Sequence, residues 1–209
     1  MTKFISYIYS FFIFKKLTGL WKIRGAYFSR NMFRVKIVKR KNSLVVVNGC
    51  INFRSHLGSE EPIRIILEEG AQLFIEGDIE ISAGCVILVR QNATLRIGGK
   101  KYNKAAGMAS NCKILVKDKV DIGIDVVMGW DVLITDSDWH NIEDSEISKP
   151  VYIEDKVWLS HHVSVHKGVT LKHGCLVAAH SLVLSDLPPK ILAGGVPARH
   201  IRQNIQWTN

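Results

Sequence analysis

From about residue 63 onward, the chain repeats an apolar position every six residues. The repeat occupies 17 positions in three runs: Leu67, Leu73, Ile79, Cys85, Gln91 and Ile97; Ile114, Val120, Val126 and Val132; and Val151, Val157, Val163, Val169, Cys175, Ser181 and Leu187. Fifteen of them are apolar if cysteine is included, whereas the overall hydrophobic content of 47% would give about eight. The residue two positions further on is usually apolar too, so two side chains per repeat point inward, as on a short strand.

Small or polar residues recur in the turns between these pairs, including Gly70, Gly84, Gly168 and Gly174. A helix would need a period near 3.6, and an antiparallel sandwich would turn every ~8–12 residues. A period of six is the signature of a hexapeptide β-helix, in which three faces close one triangular coil of about 18 residues. We therefore predict an all-β solenoid, a parallel β-helix of about six or seven coils.

The repeat loses its phase twice. Ile97 and Ile114 are 17 positions apart, and the basic stretch KKYNKAAG lies between them. Val132 and Val151 are 19 positions apart, and DSDWHNIEDSEISKP lies between them. We expect residues 98–113 and 136–150 to project as loops, which is where a rigid scaffold usually carries its chemistry.

Basic charge is concentrated at the N-terminal end. The chain has 28 Lys and Arg against 19 Asp and Glu, but residues 1–59 contain twelve of these bases and no acid. This asymmetry does not indicate a nucleic-acid-binding protein, which would be basic over its binding domain. We expect residues 1–60 to form a partly helical, basic and apolar extension outside the regular coils.

The apolar stretch FISYIYSFFIF occupies residues 4–14. It is too short for a spanning helix, which needs about 20 apolar residues. Two interpretations are favoured over a signal peptide. Residues 1–30 either contact an anionic membrane surface or cap the domain. Four cysteines without CxxC spacing indicate a reduced setting, so we expect a cytoplasmic protein that is peripheral at the inner face of the membrane.

The C-terminal third carries longer motifs, VWLSHHVSVHKGVTLKHGCLVAAHSLV and ILAGGVPARHIR. With the six-residue repeat, they resemble the hexapeptide-repeat acyltransferases, and most closely the O-acetyltransferases of bacterial sugars and surface polysaccharides. The resemblance implies a left-handed β-helix over residues 61–204, followed by a tail at 205–209. It also implies acetyl-CoA as donor, a carbohydrate acceptor, and a homotrimer with each active site between two prisms. The handedness comes from the resemblance alone, since crossovers are otherwise right-handed.

The resemblance also assigns site residues. The catalytic histidine of the family matches His140, and a tryptophan one coil later matches Trp158. The positions that it assigns to coenzyme A binding are Trp158, Ser160, His161, Ala179, Leu184, Ser185, Arg199 and Arg202.

Acetyl transfer from a thioester to a sugar hydroxyl explains why such residues are needed. The attacking hydroxyl needs a base near neutral pH, which His140 would supply, oriented by Asp136 or, as we favour, Asp138. A backbone amide, that of Ser160 or His161, would stabilise the oxyanion. Trp158 would wall the acyl channel. Arg199 and Arg202 would bind the phosphates of coenzyme A.

Three alternatives stay open. The acceptor could be an amino sugar, which would make the protein an N-acetyltransferase. The chain also has the H-x4-H spacing of γ-class carbonic anhydrases at His161 and His166, with His162 and His140 as further zinc ligands. A non-catalytic β-helix scaffold is the third. The principal interpretation assigns no metal.

Overall fold

The computed structural model describes residues 26–28, 35–54 and 59–208, and every regular element in these ranges is a β-strand. The strands are β1 (Ala26–Phe28), β2 (Val35–Lys39), β3 (Leu44–Val47), β4 (Ile51–Arg54), β5 (Ile63–Leu67), β6 (Gln72–Ile75), β7 (Ile79–Ser82), β8 (Val86–Val89), β9 (Thr94–Gly99), β10 (Gly107–Met108), β11 (Lys113–Val116), β12 (Lys119–Ile124), β13 (Val127–Met128), β14 (Leu133–Thr135), β15 (Val151–Ile153), β16 (Trp158–Leu159), β17 (Ser164–Val165), β18 (Thr170–Leu171), β19 (Leu176–Val177), β20 (Leu182–Val183), β21 (Leu192–Gly195) and β22 (Ala198–Arg202).

Successive strands visit three sheets in rotation. The first sheet runs β1-β4-β7-β10-β13-β16-β19-β21-β22, the second runs β2-β5-β8-β11-β14-β17-β20, and the third contains β3, β6, β9, β12, β15 and β18. All pairings are parallel except the antiparallel pair β21–β22. Trp158 pairs with Leu176 and Ser164 with Leu182, so one coil spans 18 residues there. The predicted parallel β-helix is confirmed, with seven coils from β1 to a bridge between Leu171 and Leu187.

The six-residue repeat forms the core. Sixteen of its 17 positions are buried. Gln91 is the exception, because β8 has an additional inward residue, Val89, which delays the next inward position to Ala93. Ser181 is buried although polar: its Oγ donates to the carbonyl of Ala178 at 2.6 Å and accepts from the amide of Gly195 at 3.1 Å.

The regular coils begin earlier than we expected. Val35 pairs with Ile63, and Leu44 with Gln72, so β2 and β3 already belong to the prism. The expected boundary at residue 60 is therefore wrong for residues 35–54. These strands are four or five residues long and alternate inward and outward, so no six-residue repeat is visible in them.

The expected helix of the N-terminal extension falls on residues 1–25 and 29–34, which lie outside the described residues. Within the described part of the chain, no helix is long and apolar enough to cross a membrane.

Two insertions leave the prism at different corners. Residues 100–106 connect β9 in the third sheet to β10 in the first, so this loop is shorter than the expected 98–113. Residues 136–150 connect β14 in the second sheet to β15 in the third. The two loops therefore serve two separate surfaces of the molecule.

Candidate active site

The loop 136–150 is anchored by a buried carboxylate at its first residue. Asp136 is fully buried and accepts three backbone N–H groups, those of Lys117 at 2.8 Å and of Asp118 and Lys119 at 2.7 Å each. Burial raises the pKa of the Asp136 carboxyl, and the N–H donors oppose that shift. Asp136 thus fixes the loop to the preceding coil, and this role leaves it unsuited to orienting His140.

Beyond Asp136 the loop closes as a narrow hairpin. An antiparallel bridge joins Ser137 to Ser148, and the amide of Asp138 donates to the carbonyl of Ile147 at 3.0 Å. The amide of Trp139 donates to the Ser137 hydroxyl at 3.0 Å. These bonds hold the base of the hairpin, and His140 lies just beyond them as an exposed side chain.

Asp138 faces a lysine rather than the predicted histidine. Its carboxylate forms an ion pair with the ammonium group of Lys167, and both side chains are about one-fifth exposed. Lys167 also donates to the carbonyl of Glu146, which ties both arms of the hairpin to the coil beneath. Among the described residues, His140 has no hydrogen-bond or ion-pair partner. The structure therefore does not bring Asp138 and His140 into contact.

A second imidazole lies beside this loop. His166 is half-buried in the turn after β17, and desolvation lowers its pKa while the nearby Asp138 carboxylate opposes the shift. The lowered pKa favours the neutral imidazole, which is the form that a base requires. The sequence interpretation treated His166 as a turn residue or a zinc ligand, and only the H-x4-H spacing drew attention to it.

Trp158 lies in β16 on the first sheet, where it is half-buried. Its ring packs against that of Trp207, with the centroids 5.6 Å apart and the planes inclined by 53°. The C-terminal segment is held in place by a hydrogen bond from the amide of Ile205 to the carbonyl of Lys190, at 2.9 Å. Trp207 was not among the predicted site residues, because it lies in the stretch 205–209 taken as a tail, yet it packs against Trp158.

The two candidate oxyanion donors differ in availability. The amide of Ser160 donates to the carbonyl of Val177 at 3.0 Å, as part of the ladder between coils. The amide of His161 has no acceptor among the described residues. Gly129 keeps this amide uncovered, because a Cβ atom at position 129 would lie 2.8 Å from the His161 nitrogen. The geometry therefore favours His161 over Ser160.

The predicted coenzyme A residues divide between two corners. Trp158, Ser160, His161 and Ala179 lie on neighbouring coils, on the first sheet and at its corner with the second. Leu184 and Ser185 are exposed after β20, at the corner between the second and third sheets, where His140 also lies. The exposed Arg199 and Arg202 belong to β22 at the end of the first sheet. The predicted residues thus form two groups, on either side of the second sheet.

The two histidines with the H-x4-H spacing of the carbonic-anhydrase alternative also lie at different corners. His166 lies at the corner between the second and third sheets, whereas His161 lies at the corner between the first and second. His161 is instead clustered with His162 and His180.

The loop 100–106 forms a separate feature at the third corner. Together with the C-terminal segment it lines a cavity of about 710 Å³, whose walls include Tyr102, Lys156 and Trp207. Asp125 shapes the loop by accepting the amides of residues 101–103 at 2.7–3.1 Å.

No family model matches the chain. It is 41% identical over 56 residues to the galactoside O-acetyltransferase of Escherichia coli (strain K12), covering 27% of this chain and 28% of that protein. It is 30% identical over 141 residues to the polysialic acid O-acetyltransferase of Escherichia coli O1:K1 / APEC, covering 64% of this chain and 41% of that protein. The chain thus spans less than half the length of either of these curated relatives.

Two solved structures have the same fold along most of both chains. The polySia-specific acetyltransferase NeuO is 23% identical, with a TM-score of 0.63 over 88% of each chain. The polysialic acid O-acetyltransferase OatWY is 22% identical, with a TM-score of 0.60 over 89% of this chain and 91% of that one. The predicted left-handed β-helix is therefore confirmed. The chain thus shares the fold of these two acetyltransferases and, over part of its length, is similar in sequence to galactoside and polysialic acid O-acetyltransferases.

Proposed function

We propose that the protein is an acetyl-CoA-dependent O-acetyltransferase, which acts on a hydroxyl group of a bacterial surface-polysaccharide sugar. Two observations carry the proposal: His140 is an exposed histidine on the loop at one corner, and the backbone amide of His161, near Trp158 at another corner, has no acceptor among the described residues. The relatives named as O-acetyltransferases of galactosides and polysialic acid support the reaction class.

The proposed residues cover each part of the reaction. His140 accepts the proton of the attacking hydroxyl as the new C–O bond forms, and returns it to the thiolate of coenzyme A as the C–S bond breaks. The His161 amide donates to the oxyanion of the tetrahedral intermediate. Trp158 and Trp207 wall the acyl channel, and Arg199 and Arg202 bind the phosphates of the donor.

The nature of the acetyl linkage separates this proposal from transfer to an amino sugar. Acetylated product made from labelled acetyl-CoA should lose its label in mild alkali, because an ester hydrolyses there and an amide does not. Label that survives alkali would favour the N-acetyltransferase instead.

The division of the site between two corners supports a homotrimer in which neighbouring subunits complete each other's half-sites. A loop corner carrying His140 from one subunit then faces the corner of the next that carries Trp158 and His161. Residues of both subunits exclude water from the thioester.

Complementation tests this shared site. The His140→Ala and Trp158→Ala variants should each have low activity, but an equal mixture that is dissociated and reassembled should regain about a quarter of wild-type activity, since random mixing restores one interface in four. The same mixture without reassembly is the control. Activity that stays at the sum of the separate variants after reassembly would contradict the shared site.

The proposal includes peripheral contact with the inner face of the membrane through residues 1–30, which lie almost entirely outside the described residues. The apolar stretch at 4–14 and the twelve bases before residue 60 support it. Each Lys or Arg near an anionic surface contributes about 1 kcal/mol, and salt screens this attraction.

We therefore expect the full chain to bind anionic vesicles and not neutral ones, with less binding at high salt. Deletion of residues 1–20 should reduce binding in a sedimentation assay while leaving acetyl transfer to a small sugar intact. If the deletion unfolds the protein and the full chain ignores anionic vesicles, the segment is a structural cap.

A further inference from the structure

Three imidazoles come together at the corner between the first and second sheets. His161, His162 and His180 each offer a ring nitrogen, and these nitrogens all lie within 4.8 Å of one another. His162 and His180 are 18 residues apart and lie in successive coils, so the β-helix itself stacks one above the other. The cluster is therefore a product of the fold and not of a single flexible loop.

The rings have a defined arrangement. His162 and His180 stack with centroids 4.6 Å apart and planes inclined by 18°, while His161 meets both edge-on, at 5.3 Å and 5.1 Å. The Nδ1 atoms of His161 and His162 are 3.1 Å apart.

The backbone beneath the rings is hydrogen-bonded to adjacent coils. The amide of His162 donates to the carbonyl of Trp130 at 2.8 Å, and that of His180 to the carbonyl of His161 at 3.0 Å. His162 and His180 both have φ of +58°, a left-handed conformation, at equivalent turns of successive coils.

A carboxylate lies behind this cluster. Oδ2 of Asp131 is 3.7 Å from Nε2 of His162, on the opposite side of the ring from the Nδ1 atom that faces His161. Metal-binding histidines commonly present one nitrogen to the ion and the other to a carboxylate, which fixes the tautomer.

We propose that His161, His162 and His180 bind one transition-metal ion of the Zn²⁺ class, with His162 coordinating through Nδ1 and Asp131 orienting that ring. Imidazole suits zinc, copper and nickel, and three protein ligands leave a fourth position open. Ligand nitrogens around tetrahedral zinc are about 3.4 Å apart, given zinc–nitrogen bonds of ~2.0–2.1 Å. The Nδ1 atoms of His161 and His162 are already this close, and the more distant nitrogens need to approach by at most about 1.4 Å, the difference between 4.8 Å and about 3.4 Å, which the exposed rings of His162 and His180 permit.

Metal binding should also inhibit acetyl transfer. This expected inhibition rests on the proposed function, whereas the metal binding itself does not. The side chain that would bind the ion belongs to His161, whose amide is the proposed oxyanion donor. An ion bound here, with a further ligand in its fourth position, would block access of the thioester to this amide. Zn²⁺ should therefore inhibit acetyl transfer.

Calorimetric titration of the untagged full-length protein with Zn²⁺, after treatment with chelator, tests the site. We expect one ion per chain, no comparable binding of Mg²⁺, and with Co²⁺ the intense visible absorption of a four-coordinate ion. The variants His162→Asn and His180→Asn keep a residue that tolerates positive φ, so they should fold normally. Each should lower zinc affinity by more than about tenfold, since loss of even an outer-shell partner costs 10–100-fold.

Matched controls make the result specific. His173→Asn and His200→Asn, whose side chains lie outside the cluster, should bind zinc as the wild type does. His180→Asn should also keep acetyl transfer while losing zinc inhibition. Unchanged zinc affinity in the His162 and His180 variants, or equal loss in the controls, would overturn the metal site. Protein that binds zinc as expected but transfers no acetyl group would instead refute the proposed function alone.

Discussion

Replacement of His140 with alanine should lower kcat for acetyl transfer by about 10²–10⁴-fold, the usual contribution of a positioned general base. His140 is exposed and has no partner among the described residues, so its loss should not disturb the fold. The KM for acetyl-CoA should change little, because His140 accepts a proton and does not hold the donor. Steady-state kinetics with circular dichroism as a check on folding measure both expectations.

His166 supplies the informative control for this prediction. It is half-buried beside Asp138, and desolvation lowers its pKa, so it is the other described imidazole suited to act as a base near this loop. His166→Ala should retain most of the activity if His140 is the base. If His140→Ala keeps wild-type turnover and His166→Ala loses its activity, the general base is His166 and not His140.

The second large effect is expected on stability. Asp136→Ala should lower the free energy of unfolding by at least about 3 kcal/mol, because three backbone N–H groups lose their acceptor at about 1 kcal/mol or more each. The loop 136–150 should also detach from the coil and raise its rate of amide hydrogen exchange. Denaturant unfolding at a fixed protein concentration measures the change.

Asp118→Ala is the matched control, since its exposed side chain lies in the same turn and its amide is one of the three donors. It should change stability by less than about 0.5 kcal/mol, as surface substitutions do. If Asp136→Ala is no more destabilising than Asp118→Ala, the carboxylate does not anchor the loop.

The six-residue repeat made the core predictable because most repeats bury the same two positions. At Gln91 the repeat failed because Val89 is an additional inward residue, which delays the next inward position to Ala93; the repeat is in phase again at Ile97. The coils at 35–54 were missed for a related reason: their longer strands alternate with period two, and the basic turns between them suggested a separate segment.

Contacts between side chains on different coils were harder to predict than the buried positions of the core. Asp138 pairs with Lys167, 29 residues later, and only the register of the prism brings the two together. The cluster of His162 and His180 had a visible signal, because 18 residues is the length of one coil and equivalent positions must stack. The proposed completion of each site by another subunit has no corresponding spacing in the sequence.

Acceptor-dependent release of the coenzyme A thiol tests the proposed acetyl transfer most directly. Purified full-length protein is incubated with acetyl-CoA and a panel of bacterial surface polysaccharides and their component sugars, and free thiol is measured over time. We expect release with at least one hydroxyl acceptor, retention of the acetyl group on that acceptor as an ester, and a rate reduced about 10²–10⁴-fold by His140→Ala. Thiol release that is independent of every acceptor, or equal in the wild type and His140→Ala, would contradict this account.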